Sequence, residues 1–266
     1  MHMPTFPQTH PSTAHLPCRG PHNAVRSLLV ALSLAAGFAV HAQVSEQACG
    51  SLAASFGPFD YRADHFRPLP GDQMSHRDKL QLVEGAHFTP DVEQLIRGNT
   101  ARLPHGDLEY TLRVFPNHHR ALVTMTKLWE RAGKSPQPAG LTRPVECYFE
   151  RALRFQPGDN IARLLYASFL IKADRKPEAV AQLKAVERAA GDNAFTHFNI
   201  GMVYADAGLM DDALVQAHRA MALGLGRLEL RQRLVAAGSW KEPAAATSES
   251  AASTPALPPS GTTPAQ

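Results

Sequence analysis

Cysteine is scarce in this chain: three residues in 266, at Cys18, Cys49 and Cys147. Long apolar runs are missing too. The longest, residues 28–40, holds about 13 apolar or small residues, short of the roughly 20 that a bilayer-spanning helix needs. Basic tracts are also absent: 27 Lys and Arg stand against 24 Asp and Glu, net +3, with no dense cationic run. That balance lacks the electrostatic footprint of a nucleic-acid binder. Complete catalytic signatures are missing as well. Gly133-Lys134-Ser135 ends like a phosphate-binding loop, but Leu128 stands where the upstream Gly belongs. Gly224 and Gly226 open a G-x-G pattern that Glu229 breaks, and no G-x-S-x-G elbow occurs. Glu84 and His87 have the Glu-x-x-His spacing of di-iron bundles without the second copy those sites require. His118 and His119 are adjacent, so on a helix their side chains diverge by about 100° and do not share one ion. The expectation is a protein with no catalytic residues, metal or cofactor.

Both ends are set aside before the fold is read. Arg26 precedes the apolar run, and Val40-His41-Ala42 places small residues ahead of Gln43. Residues 1–42 therefore read as a secretory signal, with an uncleaved anchor as the alternative. Residues 241–266 are almost wholly Ala, Pro, Ser, Thr and Gly. Such a segment buries too little surface to offset its ordering entropy and is expected to be disordered. Export to a periplasmic or extracellular space leaves Cys49 and Cys147, an even pair that favours a disulfide in an oxidising compartment. Closing that loop of nearly 100 residues would contribute about 4–5 kcal/mol in the chain-entropy model. Two small buried core residues are the alternative.

Residues 160–225 contain one helical hairpin written twice, about 34 residues apart: Ala167 recurs as Gly201, Leu170 as Tyr204, Ala179 as Ala213 and Leu183 as Ala217. A unit of that length cannot bury its apolar face alone and must stack on a neighbour. In the later copy one helix spans residues 195–206, Gly208 closes it, and a second follows over 210–223 with Asp211 and Asp212 in its first turn. Asp159 and Asp192 are N-cap candidates for the first helix of each copy. Pro177 opens the second helix of the earlier copy, where its missing N–H costs nothing. A stretched unit precedes them, with helices over 119–133 and 144–155 and an enlarged loop over 134–143. Before that, residues 90–96 and 107–115 form another hairpin, and a short helix over 79–88 leads into it. Leu228, Leu230, Leu234 and Val235 mark a terminal capping helix ending at Gly238.

These residues resemble the tetratricopeptide repeat (TPR) family. Ile200-Gly201, Tyr204, Gly208, Ala213 and Ala220 match its pattern in the later copy; Tyr166-Ala167, Leu170 and Ala179 match it in the earlier one. Asp174 replaces the turn Gly, Gly191 replaces the Pro, and Arg163 and His197 stand where an early aromatic is usual. The resemblance implies an all-α fold: a TPR-like α-α superhelix, or solenoid, of about three to four hairpins. Residues 43–88 are expected to form a less regular N-terminal capping segment, with a binding element lying in the groove as the alternative, and 89–240 to form the repeat domain. It further implies that the first helices line a groove for a protein or peptide partner. On this chain that face carries Arg120, Val123, Lys127 and Arg131, then Ile161, Leu164, Ser168 and Lys172, then Phe195, Phe198, Asn199 and Met202. Asn199 matches a position where such repeats use an Asn to hold a ligand backbone. The expected function is a non-catalytic interaction scaffold or adaptor in the bacterial cell envelope. The alternatives are a metal-dependent or hydrolytic enzyme using N-terminal His, Asp and Tyr residues, and a glycan binder using the aromatic turn at residues 56–61.

Overall fold

The computed structural model describes residues 48–64 and 66–243. The expected signal at residues 1–42, and all of the expected tail beyond residue 243, lie outside the described residues. The chain divides into two compact units, Met1–Ser51 and Leu52–Gln266. In the first, Ala48 and Cys49 are helical. Cys49 is buried and disulfide-bonded, and Cys147 in the second unit is likewise buried and disulfide-bonded.

The described residues of the second unit hold ten helices and no strand. α1 is His76–His87, α2 Pro90–Glu93, α3 Pro104–Val114, α4 His119–Arg131 and α5 Glu146–Phe155. α6 is Asn160–Lys172, α7 Lys176–Ala190, α8 Ala194–Asp206, α9 Met210–Ala222 and α10 Glu229–Ala236. Local chemistry sets their ends. α1 begins three residues before the sequence suggested, because Ser75 and Asp78 form a reciprocal capping box. α3 also starts earlier than expected, with Pro104 supplying the first turn. Asp159 caps α6 as expected, accepting the N–H groups of Ile161 and Ala162. For α8 the cap is Asn193 rather than Asp192. Asn193 accepts from the Thr196 N–H, while the Asp192 carboxylate pairs with Arg219 at 2.6 Å.

Six of these helices close in the same way. After α2, α4, α6 and α8 a residue takes positive φ: Leu95 at 59°, Gly133 at 66°, Asp174 at 60° and Gly208 at 73°. The following N–H then returns to a carbonyl five residues back: Ile96 to Asp91, Lys134 to Trp129, Arg175 to Leu170 and Leu209 to Tyr204. α9 and α10 do so through Gly224 at 86° and Gly238 at 66°, the Leu225 N–H returning to Ala220 and the Ser239 N–H to Leu234. This closure satisfies carbonyls that a helix end leaves orphaned. α2, short as it is, shares this closure with α4, α6 and α8.

Packing follows the same register. α2, α4, α6, α8 and α10 each lie against the next in that order. α3 packs on α2 and α4, α7 on α6 and α8, and α9 on α8 and α10. One apolar core runs through them from Phe88 to Leu234. Ala167, Gly201, Ala179 and Ala213 are all buried there, which lets paired helices approach closely. Larger rings fill the junction of α4, α5 and α6: Phe149 stacks on Phe169 at 5.0 Å and on Tyr166 at 5.5 Å, and Trp129 meets Phe169 edge-on at 4.9 Å. The enlarged loop before α5 is tied down by Glu109 of α3, which accepts from the Thr142 N–H at 2.9 Å and from the Tyr148 hydroxyl.

The segment ahead of α1 packs on the end of α3. Gly57 has φ +95°, and a Cβ there would lie 2.8 Å from the Val114 carbonyl oxygen, so the close approach requires glycine. Two residues on, the Phe59 N–H donates to that same carbonyl at 2.8 Å. Phe56, Phe59 and Tyr61 thereby cover Val83, Val114 and Phe115. Among the described residues no helix is long and apolar enough to cross a membrane.

Candidate functional site

The shared register of α4, α6 and α8 aligns the residues singled out from sequence. Each helix is 13 residues long. Arg120, Ile161 and Phe195 are the second residues of their helices, Lys127, Ser168 and Met202 the ninth, and Arg131, Lys172 and Asp206 the last. Because α4 lies on α6 and α6 on α8, these sets form rows across neighbouring helices.

Burial divides those residues. Val123, Ile161 and Phe195 are exposed at 37%, 48% and 56%. Lys127 and Asn199 are exposed, and Ser168 and Met202 are half-buried. Leu164 and Phe198 sit in the core. Three cations on this face already have partners. Arg120 pairs with Glu93 and, at 3.4 Å, with Glu84. Arg131 donates to the Leu95 carbonyl at 3.1 Å, and Lys172 pairs with Glu130. Arg227 lies over both Phe195 and Phe198, 5.6 and 5.5 Å from the ring centroids.

A second grouping was not legible in the sequence. Asn117 donates from Nδ2 to Asp60 at 2.7 Å and to Asp159 at 2.8 Å, and its Oδ1 accepts the Tyr61 N–H at 3.0 Å. Asp159 also accepts from His119 Nε2 at 2.9 Å and lies 3.4 Å from Arg62. His118 is fully buried. Its Nδ1 accepts the Ala121 N–H at 3.1 Å, capping α4, so the ring hydrogen sits on Nε2 and is donated to Glu84 at 3.0 Å. The Tyr61 ring lies on His118, with centroids 4.1 Å apart. Partners 57 and 42 residues apart in sequence leave no periodic trace.

The charges here are strongly perturbed. Burial pushes Asp60 up, but hydrogen bonds from Arg62 and Asn117 outweigh it and hold the carboxyl at about 2. Asp159 is raised by burial and lowered further by His119, the Ala162 N–H and Asn117, ending below the usual carboxylate range. The hydrogen bond from His118 holds Glu84 low. Burial depresses His118 despite the opposing Glu84 carboxylate. The hydrogen bonds of this network run between protein groups, and they clasp the segment at residues 60–62 to α4 and to the cap of α6.

A third feature lies beside the enlarged loop: a half-open cavity of about 320 Å³ floored by Trp129 and Phe169, walled by Pro136 and Pro144, with Lys134 and Arg175 at its rim. Arg175 is held by Glu146 and Glu178. Glu146 and Asp174 also line the cavity, so its two cations face two acids. In comparisons with known proteins, no family model, no curated protein and no solved structure matches this chain.

Proposed function

We propose that this chain is an exported, non-catalytic interaction scaffold whose helix row is a TPR-like superhelix, and that it binds a segment of a partner protein across α4, α6 and α8. The observation that carries the reading is the exposure of Ile161 and Phe195 at the same helical position of adjacent helices, with Val123 on the same face of α4. Exposed apolar groups in register form a continuous strip, which is how helical repeats hold extended segments. Exposed polar side chains at Lys127 and Asn199 lie on the same helices and offer hydrogen bonds to a partner backbone. The sequence of residues 1–42 supports export to the periplasm or beyond.

A photo-crosslinking residue placed at Ser168 or Asn199 in the full chain, in its native cells, tests this. The control position is Ala181, exposed on α7. Discrete adducts from the first two positions and none from the third are expected. Adducts from all three, or from none, would overturn the reading.

The gathering of Asp60, Tyr61, His118 and His119 favours a second reading, an enzyme built on these groups. Against it, His118 and His119 already pair with Glu84 and Asp159. An arrangement of that kind supports a structural clasp better than a site awaiting substrate.

A further inference from the structure

His87, the last residue of α1, is held on two sides. Its Nδ1 donates to Asp107 Oδ1 at 2.7 Å, and its ring stacks on Tyr110 with centroids 3.9 Å apart and planes 24° apart. Asp107 is itself fully buried. Its carboxylate accepts the N–H groups of Asn99 at 2.7 Å, Thr100 at 3.1 Å and Ala101 at 3.0 Å. Three backbone donors fix that carboxylate, and the carboxylate fixes the imidazole. With the hydrogen on Nδ1 committed to Asp107, Nε2 lies on the edge away from Asp107 and accepts whenever the ring carries no second hydrogen. Among the described residues no hydrogen-bond partner meets it.

This ring borders a half-open cavity of about 290 Å³ whose other walls are Phe56, Leu82, Val83, Ala86 and Tyr110. The lining is hydrocarbon and aromatic apart from His87 and the Tyr110 hydroxyl. Neither the clasp nor the helix face described above uses it.

We propose that this cavity is a binding site for a small ring-bearing alcohol or phenol. The ring packs among Phe56, Leu82 and Val83, and the hydroxyl donates to His87 Nε2. Apolar walls with one oriented polar atom are the usual build of a small-molecule site. An acceptor whose tautomer is fixed favours a ligand that donates over an apolar ligand of the same shape. An anion is disfavoured, because the Asp107 carboxylate lies directly behind the imidazole. The site does not depend on the partner-binding reading.

Phenol and toluene, which differ by a hydroxyl in place of a methyl, are the probes, titrated into the full chain. Long-range ¹H–¹⁵N spectra of the histidine side chains report the His87 nitrogens directly. Phenol is expected to bind about fivefold tighter than toluene, the size of one hydrogen bond, and to shift His87 Nε2. Ala86→Leu, which puts a larger side chain on the cavity wall and leaves His87 and Asp107 unchanged, should weaken phenol binding by about fivefold or more. His87→Phe should bring the two probes to within twofold of each other. Equal affinities in the native chain, no saturable binding, an unmoved Nε2 resonance, or undiminished phenol affinity in Ala86→Leu would each overturn the proposal.

Discussion

Arg163 and His197, 34 residues apart, make matching pairs of hydrogen bonds. Arg163 donates to Gln182 at 2.8 Å and to the Pro157 carbonyl at 3.0 Å. His197 bonds Gln216 through Nδ1 at 2.7 Å and the Gly191 carbonyl through Nε2 at 2.9 Å. Each partner is displaced by the same 34 residues. A polar side chain bridging two helices thus occupies the place where the tetratricopeptide pattern, which the sequence only resembles, has an aromatic ring. His197 is 8% exposed and Gln216 7%, so His197→Ala strands buried polar atoms and should cost about 2 kcal/mol. Arg163 is less buried, and Arg163→Ala should cost about 1 kcal/mol. Urea unfolding of both variants checks the order; a larger loss at Arg163 would contradict it.

Helix positions are legible in the sequence because caps, turn glycines and small residues act locally. Asp159, Pro177 and Gly208 do at their helix ends what their chemistry implies. Misplaced boundaries have local competitors. Asn193 sits one residue inside Asp192 and takes the cap, and Pro104 starts α3 before the periodic run begins. The clasp is different in kind. Asp60, Asn117 and Asp159 carry no mutual spacing, and only the folded chain brings them together. Of the residues expected on the groove face, Ile161 and Phe195 are exposed, while Leu164 and Phe198, one turn further on, are buried in the core.

Asn117 is the hub of the clasp, since one amide nitrogen serves two carboxylates. Asn117→Asp replaces that donor with a third acid in a buried place. The expected loss is about 3 kcal/mol at neutral pH, falling on acidification as the carboxylates take up protons. Asn117→Ala should lose about 2 kcal/mol with little pH dependence beyond the parent's. Chemical unfolding at pH 7 and pH 4 separates the two.

Acid should weaken the fold in two stages. An imidazole with the ordinary pKa of 6.5 protonates in the unfolded chain while buried His118 resists, so stability begins to fall as pH drops below about 6.5. Asp60, Asp159 and Glu84 are held low in the fold. Their contribution is complete above the ordinary carboxylate range near 4 and is lost as pH falls toward 2. Tm followed from pH 8 to pH 3 should decline gently below 6.5 and steeply below 4. A Tm that rises on acidification from pH 6.5 to 4.5 would contradict the His118 assignment.

Asp174 holds the turn conformation that glycine holds at Gly133 and Gly208, with φ of 60°. Its side chain is exposed, so little packing is lost on removing it. Asp174→Gly relieves the left-handed strain but loosens the unfolded chain, and the balance should be a gain of about 0.5 kcal/mol. Leu95 has the same backbone geometry but packs against the core. Leu95→Gly should therefore destabilise. Paired Tm measurements decide both signs.

Ile161 and Phe195 separate folding from recognition. Both are exposed, so replacing either with Ser should change stability by no more than about 0.5 kcal/mol. Phe195 adds only a surface contact with the Arg227 guanidinium, worth about 0.5 kcal/mol at such a site. If the strip across α4, α6 and α8 is the binding face, the double variant Ile161→Ser with Phe195→Ser should fold like the parent. It should also lose most of the adduct captured from Ser168. A polar pair in a strip that held nothing would leave the adduct unchanged. A pair that mattered only for packing would lower Tm by several degrees before any adduct was lost. The ratio of the two effects, adduct loss against Tm loss, is therefore the quantity to measure, and a ratio dominated by Tm would remove the apolar strip from the recognition surface.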